Sequence, residues 1–195
     1  MESSGEPAQL IVVERGPGEV ADLLLLQQDA PALRFLANDG TGSMDASVAQ
    51  SFDARVQAAV VGDVHPREGL EILAGTADGH VFLLHEQSRG VLSAPTRVLS
   101  FPGGIAKLAL VEIDDDGWLD LISISGDPLE RFARIHLVPA VGDVAAAPLP
   151  QLLALTRSDA TVALPADLDG DHDADLVVVD GDEIWGGMRI LRNHP

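Results

Sequence analysis

The feature that most restricts what this chain can become is an internal repeat. Slid against itself, the sequence aligns four segments on one plan: an apolar strand, an acidic or Gly-rich turn, an acidic residue, then a second apolar run. The segments are LIVVERGPGEVADLLLLQ from Leu10, AAVVGDVHPREGLEILAG from Ala58, LALVEIDDDGWLDLISIS from Leu108 and ALPADLDGDHDADLVVVD from Ala163. The acidic residue that opens the second run is Asp22, Glu71, Asp120 and Asp175 in turn. The first two intervals are 49 residues each and the third is 55.

Composition and period make these runs strands. Residues 175–179 (DLVVV) and 120–124 (DLISI) are rich in β-branched side chains and too short for helices. A further strand follows each, at 33–37, 80–85, 132–138 and 188–193, and a weaker one fits 47–52 and 91–99. Nineteen glycines and twelve prolines punctuate the chain between the apolar runs. Three to four short strands in each unit of roughly 50 residues describe a propeller blade. The expected fold is therefore all-β: one domain, a β-propeller or partial propeller of four blades at 8–53, 54–102, 103–157 and 158–195, each of three to four antiparallel strands. The Leu and Ala content of 21–36 and 145–155 leaves a helix as the alternative there. The repeat alignment constrains the first of those segments more than the second.

The turn of the fourth repeat reads Asp167-Leu-Asp169-Gly-Asp171-His-Asp173-Ala-Asp175. Carboxylates at positions 1, 3, 5 and 9, with the carbonyl of Asp173 at position 7, can converge on one hard cation. Calcium takes about six to eight oxygens in flexible geometry, which such a loop supplies; magnesium, stricter and more hydrated, fits less well. Gly170 permits the left-handed backbone of a tight turn. Five carboxylates in nine residues repel one another at short range unless a divalent ion neutralises them. An EF-hand would need glycine at position 6 and glutamate at position 12, where this loop has His172 and Val178.

The third repeat carries Glu112, Asp114, Asp116 and Asp120 at the same four positions, with the Trp118 carbonyl at position 7 and Gly117 for the turn. It is the second expected calcium site. The second repeat keeps Asp63 and Glu71 but has His65 and Arg67 between them. The first has Glu14 and Asp22 around Gly16 and Gly18. Both are expected to be metal-free, so one or two calcium ions are anticipated.

A net charge of −19 opposes binding to a nucleic-acid backbone or an anionic membrane surface. The absence of cysteine excludes a disulfide framework and thiolate metal sites. The opening MESSGEPAQL lacks the basic start and apolar stretch of a signal peptide. The most apolar region, 138–155, is interrupted by Asp143, Pro148 and Pro150, so a soluble chain without membrane insertion is expected.

An enzyme is not expected. The chain has no Tyr or Cys and a single lysine, Lys107, and no Gly-x-Ser-x-Gly elbow occurs. Its histidines (His65, His80, His85, His136, His172 and His194) share no useful ligand spacing. The Phe101-Pro-Gly-Gly104 turn precedes no helix that could bind phosphate. Trp118 and Trp185 fit packing between blades; Trp185, beside Gly186 and Gly187, is the better of the two as an exposed anchor for a partner or a sugar.

Asp167, Asp169, Gly170, Asp171, Asp175 and Leu176 resemble the FG-GAP/VCBS repeat, Asp-x-Asp/Asn-Gly-Asp-Gly-x-x-Asp-Leu followed by an apolar strand; His172 departs where the second glycine is usual. Glu112, Asp114, Asp116, Gly117, Asp120 and Leu121 match it in the third repeat. The Asn38-Asp-Gly turn after 33–37 is similar to one common in such repeats, and Leu191-Arg-Asn193 echoes it. The resemblance implies integrin-α-like propellers, often seven-bladed, with calcium between the first two strands of a blade. It also implies an extracellular, periplasmic or cell-surface setting and binding to proteins or glycans. The expected role is a calcium-stabilised scaffold for protein–protein interaction or assembly, with a protein partner or second copy completing or covering the ring. The alternative is a carbohydrate-binding module or an accessory part of a polysaccharide-active enzyme.

Overall fold

The computed structural model describes residues 7–27, 30–46, 49–64, 69–113, 116–126, 132–141, 149–157, 162–171, 173–180 and 187–193. Among them are seventeen strands, in four antiparallel sheets, and no helix. Sheet 1 holds β1 (Pro7–Val13), β2 (Asp22–Gln27), β3 (Ala32–Asn38), β4 (Met44–Ala46) and β5 (Gln50–Ser51). Sheet 2 holds β6 (Val56–Gly62), β7 (Glu71–Thr76), β8 (His80–Ser88), β9 (Val91–Leu92) and β10 (Thr96–Ser100). Sheet 3 holds β11 (Gly104–Val111), β12 (Asp120–Gly126), β13 (Phe132–Val138) and β14 (Gln151–Arg157); sheet 4 holds β15 (Val162–Ala166), β16 (Asp175–Asp180) and β17 (Gly187–Leu191).

Each sheet is thus one sequence repeat, and each acidic residue picked out by the spacing begins its sheet's second strand. The repeat reaches fine detail. The register of the first strand slips between Pro7 and Gln9, Val56 and Ala58, and Ile105 and Lys107. A bulge therefore recurs at the same repeat position in β1, β6 and β11, adding local twist to each first strand. The described parts of 21–36 fall in or beside β2 and β3, and the described part of 145–155 falls in or beside β14, so neither contains a helix among the described residues.

The sheets stack in chain order through three apolar cores. Leu24, Leu26 and Phe35 of sheet 1 pack with Val56, Ile72 and Leu84 of sheet 2. Leu73, Val81 and Leu99 of sheet 2 pack with Ile105, Leu121 and Val138 of sheet 3. Ile122, Ile124 and Ile135 of sheet 3 pack with Ala163, Leu176 and Val178 of sheet 4. The first strands β1, β6, β11 and β15 lie against one another in succession along this stack.

The middle sheets are covered on both faces. Every residue of β7 is buried, as is β12 up to its last residue. In β2 burial alternates, because Leu24 and Leu26 face the core while Leu23 and Leu25 face away. In β16, Leu176 and Val178 are buried, Val177 is half-buried and Val179 is exposed.

Candidate metal centre

The four acidic residues that open the second strands are all buried. Burying a carboxylate is costly unless hydrogen bonds satisfy it, and the backbone supplies them. Asp22 Oδ1 accepts from the Asn38 amide at 2.6 Å, Asp120 Oδ1 from Ala140 at 2.8 Å and Asp175 Oδ1 from Asn193 at 3.0 Å. Each donor lies at or just past the end of the sheet's third strand. The other oxygen reaches back to position 2 of the turn: Glu71 Oε2 accepts from the Val64 amide at 3.1 Å and Asp120 Oδ2 from the Ile113 amide at 3.0 Å. Position 9 is accordingly a latch joining the turn to its strands. An oxygen accepting one amide keeps further acceptor capacity, so a latch can also serve a cation. Asp175 is the exception, because its Oδ2 is buried with no hydrogen-bond partner among the described residues.

In the fourth turn, between β15 and β16, Asp167, Asp169 and Asp171 are exposed and each offers an oxygen within 4.8 Å of the others. Oxygens bound to one calcium at about 2.3–2.6 Å can be no more than about 5 Å apart, so the cluster fits that ion's size. The turn is shaped by Gly170 (φ 82), whose amide donates to Asp167 Oδ1 at 2.7 Å, and by the Asp173 amide, which donates to Asp171 Oδ1 at 3.1 Å. Asp173 is half-buried and Asp175 buried; neither joins the three-carboxylate cluster. One cation is already at hand: Arg192 Nη1 pairs with Asp169 Oδ2. The sequence reading missed this arginine. Its signal was the pairing of 188–193 with β16, which puts residue 192 opposite Asp175.

The third turn, between β11 and β12, repeats the fourth in part. The Trp118 amide donates to Asp116 Oδ1 at 2.8 Å, as Asp173 does to Asp171, and Gly117 takes φ 84. Glu112 Oε1 is buried with no hydrogen-bond partner among the described residues, which leaves an acceptor for a cation. Asp114, at position 3, lies outside the described residues, as do His172, Trp185, His65 and Arg67. Trp118 is half-exposed beside the turn.

The first turn carries its own positive charge. Arg15, at position 2, pairs through Nε with Asp22 Oδ2 and grips both oxygens of Glu86 on β8 at 2.5 and 2.6 Å. Arg89 reaches the other Asp22 oxygen at 3.0 Å, and the Arg15 guanidinium lies 5.6 Å from the Phe35 ring. Burial pushes the Asp22 carboxyl up, but the Asn38 amide, Arg89 and Arg15 outweigh it and hold the group below its ordinary 3.8. Hydrogen bonding to Glu86, opposed by burial, raises the Arg15 guanidinium, which stays charged. A guanidinium thus stands in the first turn where the fourth brings three exposed carboxylates together.

No protein-family model matches the chain, and no curated protein matches it at a significant level.

Proposed function

We propose that the chain is a calcium-stabilised scaffold of propeller type, with four blades in series, whose role is to bind or assemble protein rather than to catalyse. The observation that carries this reading is the meeting of Asp167, Asp169 and Asp171 on the turn between the first two strands of a sheet. The ordered stacking of four repeat-equivalent sheets, first strand against first strand, supports the blade arrangement. The main ligands are the oxygens of Asp167, Asp169 and Asp171, with the Asp173 carbonyl and the spare Asp175 oxygen completing the shell. Glu112, Asp116, the Trp118 carbonyl and Asp120, together with Asp114, form the second site. Such an ion removes the repulsion in the turn and fixes the β15–β16 connection.

The half-exposed Trp118 favours the second reading, a carbohydrate-associated module, because an indole beside carboxylates can stack on a sugar ring. Calorimetric titration with calcium and with magnesium tests the main reading, together with melting curves in calcium and in chelator. An ion that binds only the folded chain stabilises it by about 2.7 kcal/mol at a hundredfold excess over Kd, a shift of several degrees. Asp171→Ala removes most of that shift if the fourth turn is the principal site. An unshifted melt, or the same shift in Asp171→Ala, overturns the assignment; glycan binding lost with Trp118→Ala favours the second reading.

A further inference from the structure

We infer that two copies of this chain join head to tail, the outer face of sheet 4 of each packing on the outer face of sheet 1 of the other, to close a ring of eight sheets. This rests on the propeller reading above and names its partner.

The second strands carry the argument. DLLLLQ in β2 and DLVVVD in β16 are unbroken apolar runs between polar ends, the pattern of a strand buried on both faces. In the middle sheets the corresponding strands β7 and β12 are buried on both faces. In β2 and β16 one face is buried and the other only partly covered, with Leu23, Leu25 and Val177 half-buried and Val179 exposed. Around them, Leu10 and Val12 are 57% and 58% exposed on sheet 1, and Leu164, Met188 and Ile190 are 55%, 68% and 41% exposed on sheet 4. The register places Leu10 beside Leu25 and Val12 beside Leu23. It also places Leu164 and Ile190 on either side of Val177, and Met188 beside Val179. Each is a largely apolar sheet face, bordered on sheet 1 by Arg34 beside Leu25, of the kind that marks an interaction site.

The junctions inside the chain identify the occupant. At each of them one face of a sheet meets the opposite face of the next, and a single chain leaves one face of each kind over. Another copy supplies both missing partners at once, and eight sheets lie within the usual range of about four to eight blades. The turns agree. Position 2 plugs the junction with the following sheet: Val64 is buried in the core between sheets 2 and 3, and Ile113 packs into the core between sheets 3 and 4. Leu168 holds this position in the fourth turn and is 45% exposed. The Val64 and Ile113 amides each donate to their latch carboxylate, whereas the corresponding Asp175 oxygen has no donor among the described residues. The incoming sheet also has the right side chain. Asn193, two residues past β17, donates through Nδ2 to the Ile113 carbonyl of the preceding turn at 2.6 Å. Asn38, at the end of β3, holds the equivalent place; one Nδ2 hydrogen goes to the Ala21 carbonyl at 3.1 Å, which leaves the second for the Leu168 carbonyl of the second copy.

Sedimentation and native mass measurement of the full chain at micromolar concentration test this. The expected species is about 41 kDa, twice the 20.5 kDa of one chain. Val12→Lys blocks the outer face of sheet 1 and Met188→Lys that of sheet 4. Both positions are exposed, and a retained cooperative melt shows that each variant folds. Each variant alone dimerises far more weakly than wild type, because both of its junctions then carry a lysine. Mixed, they pair one to one through the single junction that still has two unmodified faces, more tightly than either pairs with itself. A monomeric wild type overturns the inference, as does an open polymer. So does full-strength dimerisation of one variant with no preference in the mixture, which would mean like faces meeting. A monomer that still shows the calcium shift sinks this inference alone; a dimer without a calcium shift sinks the calcium reading and leaves this one standing.

Discussion

Arg15 and Glu86 join sheet 1 to sheet 2: the two terminal nitrogens of the arginine meet the two oxygens of the glutamate at 2.5 and 2.6 Å, and the side chains are only 13% and 8% exposed. The same guanidinium neutralises Asp22, which is wholly buried. Removing one partner of such a set leaves an uncompensated buried charge, which costs about 3–5 kcal/mol. Arg15→Ala is expected to lose stability in that range in urea unfolding. Arg15→Lys should recover only part of it, because an ammonium cannot span both carboxylates in a fixed fork. A loss below 1 kcal/mol for Arg15→Ala would show the pair to be dispensable.

The latch and the ligand positions separate in mutants. Asp120 has an amide on each oxygen and is fully buried, while Asp171 is exposed. In chelator, Asp120→Ala is expected to cost at least about 2 kcal/mol, the scale for hydrogen bonds to a charged group and for stranding their donors. Asp171→Ala should be close to neutral there, or slightly stabilising through relief of repulsion. In calcium, Asp171→Ala should become the variant that fails to gain stability. Urea curves for both proteins, with and without chelator, provide the comparison.

Arg192 sets the third expectation. Its guanidinium holds Asp169 in the fourth turn, so an entering ion must displace it or share the carboxylate. Exposed pairs of this kind are weak, and Arg192→Ala should tighten calcium binding only about twofold to fivefold by calorimetry, with less effect at high salt. Weaker binding in the variant would mean that Arg192 supports the site.

How far the sequence could be read follows from what each signal measures. The interval between acidic residues located the start of every second strand, because the latch demands a carboxylate at one fixed place in the unit. The same logic obscured its role: Asp120 in the sequence is one more alternating carboxylate, and only its depth and its two amide donors reveal the latch. The strand β14 was hidden in Leu- and Ala-rich QLLALTR, whose composition suits a helix. Pairing with the free edge of β13 decides it, a tertiary effect beyond local propensity. Glu86 was illegible as a site residue because its partner lies 71 residues away, and Arg192, 23 residues from Asp169, could be found only through the pairing of the adjoining β17 with β16. By contrast, the apolar runs in β2 and β16 were legible, and the faces they leave uncovered became evident only in the packed stack.

Sheets 2 and 3 approach so closely that a side chain has no room at Gly75. A Cβ there would stand 2.4 Å from Ile105 Cγ2 and 2.7 Å from Ile105 Cβ, and both contacts involve the rigid, branched part of a fully buried residue. Gly75→Ala is expected to cost about 1–3 kcal/mol through overpacking, and Gly75→Val more. Shortening the opposing residue, as in Ile105→Ala, should cost less in the Gly75→Ala background than alone, a coupling visible in a double-mutant cycle.

The last prediction concerns pH and turns on His136. The ring lies in sheet 3 against Phe101, with centroids 4.9 Å apart, and its Nδ1 is buried with no hydrogen-bond partner among the described residues. Burial, reinforced by the positive charge of Arg134, holds this imidazole below its ordinary 6.5, so the folded chain keeps it neutral. The unfolded chain takes up a proton at the ordinary value. His136 therefore contributes stability that is complete above pH 6.5 and is lost as pH falls from there through the depressed folded value. Asp22 acts lower: its contribution is complete above 3.8 and is lost as pH falls from there through its depressed folded value. Both pH 7.5 and pH 5.5 lie above the Asp22 window, so His136 can be separated from it by comparing urea unfolding at those two values. Wild type should weaken between those conditions. His136→Phe, which keeps a ring against Phe101 but cannot titrate, should weaken less; an equal loss in the two proteins would assign the pH dependence to other groups.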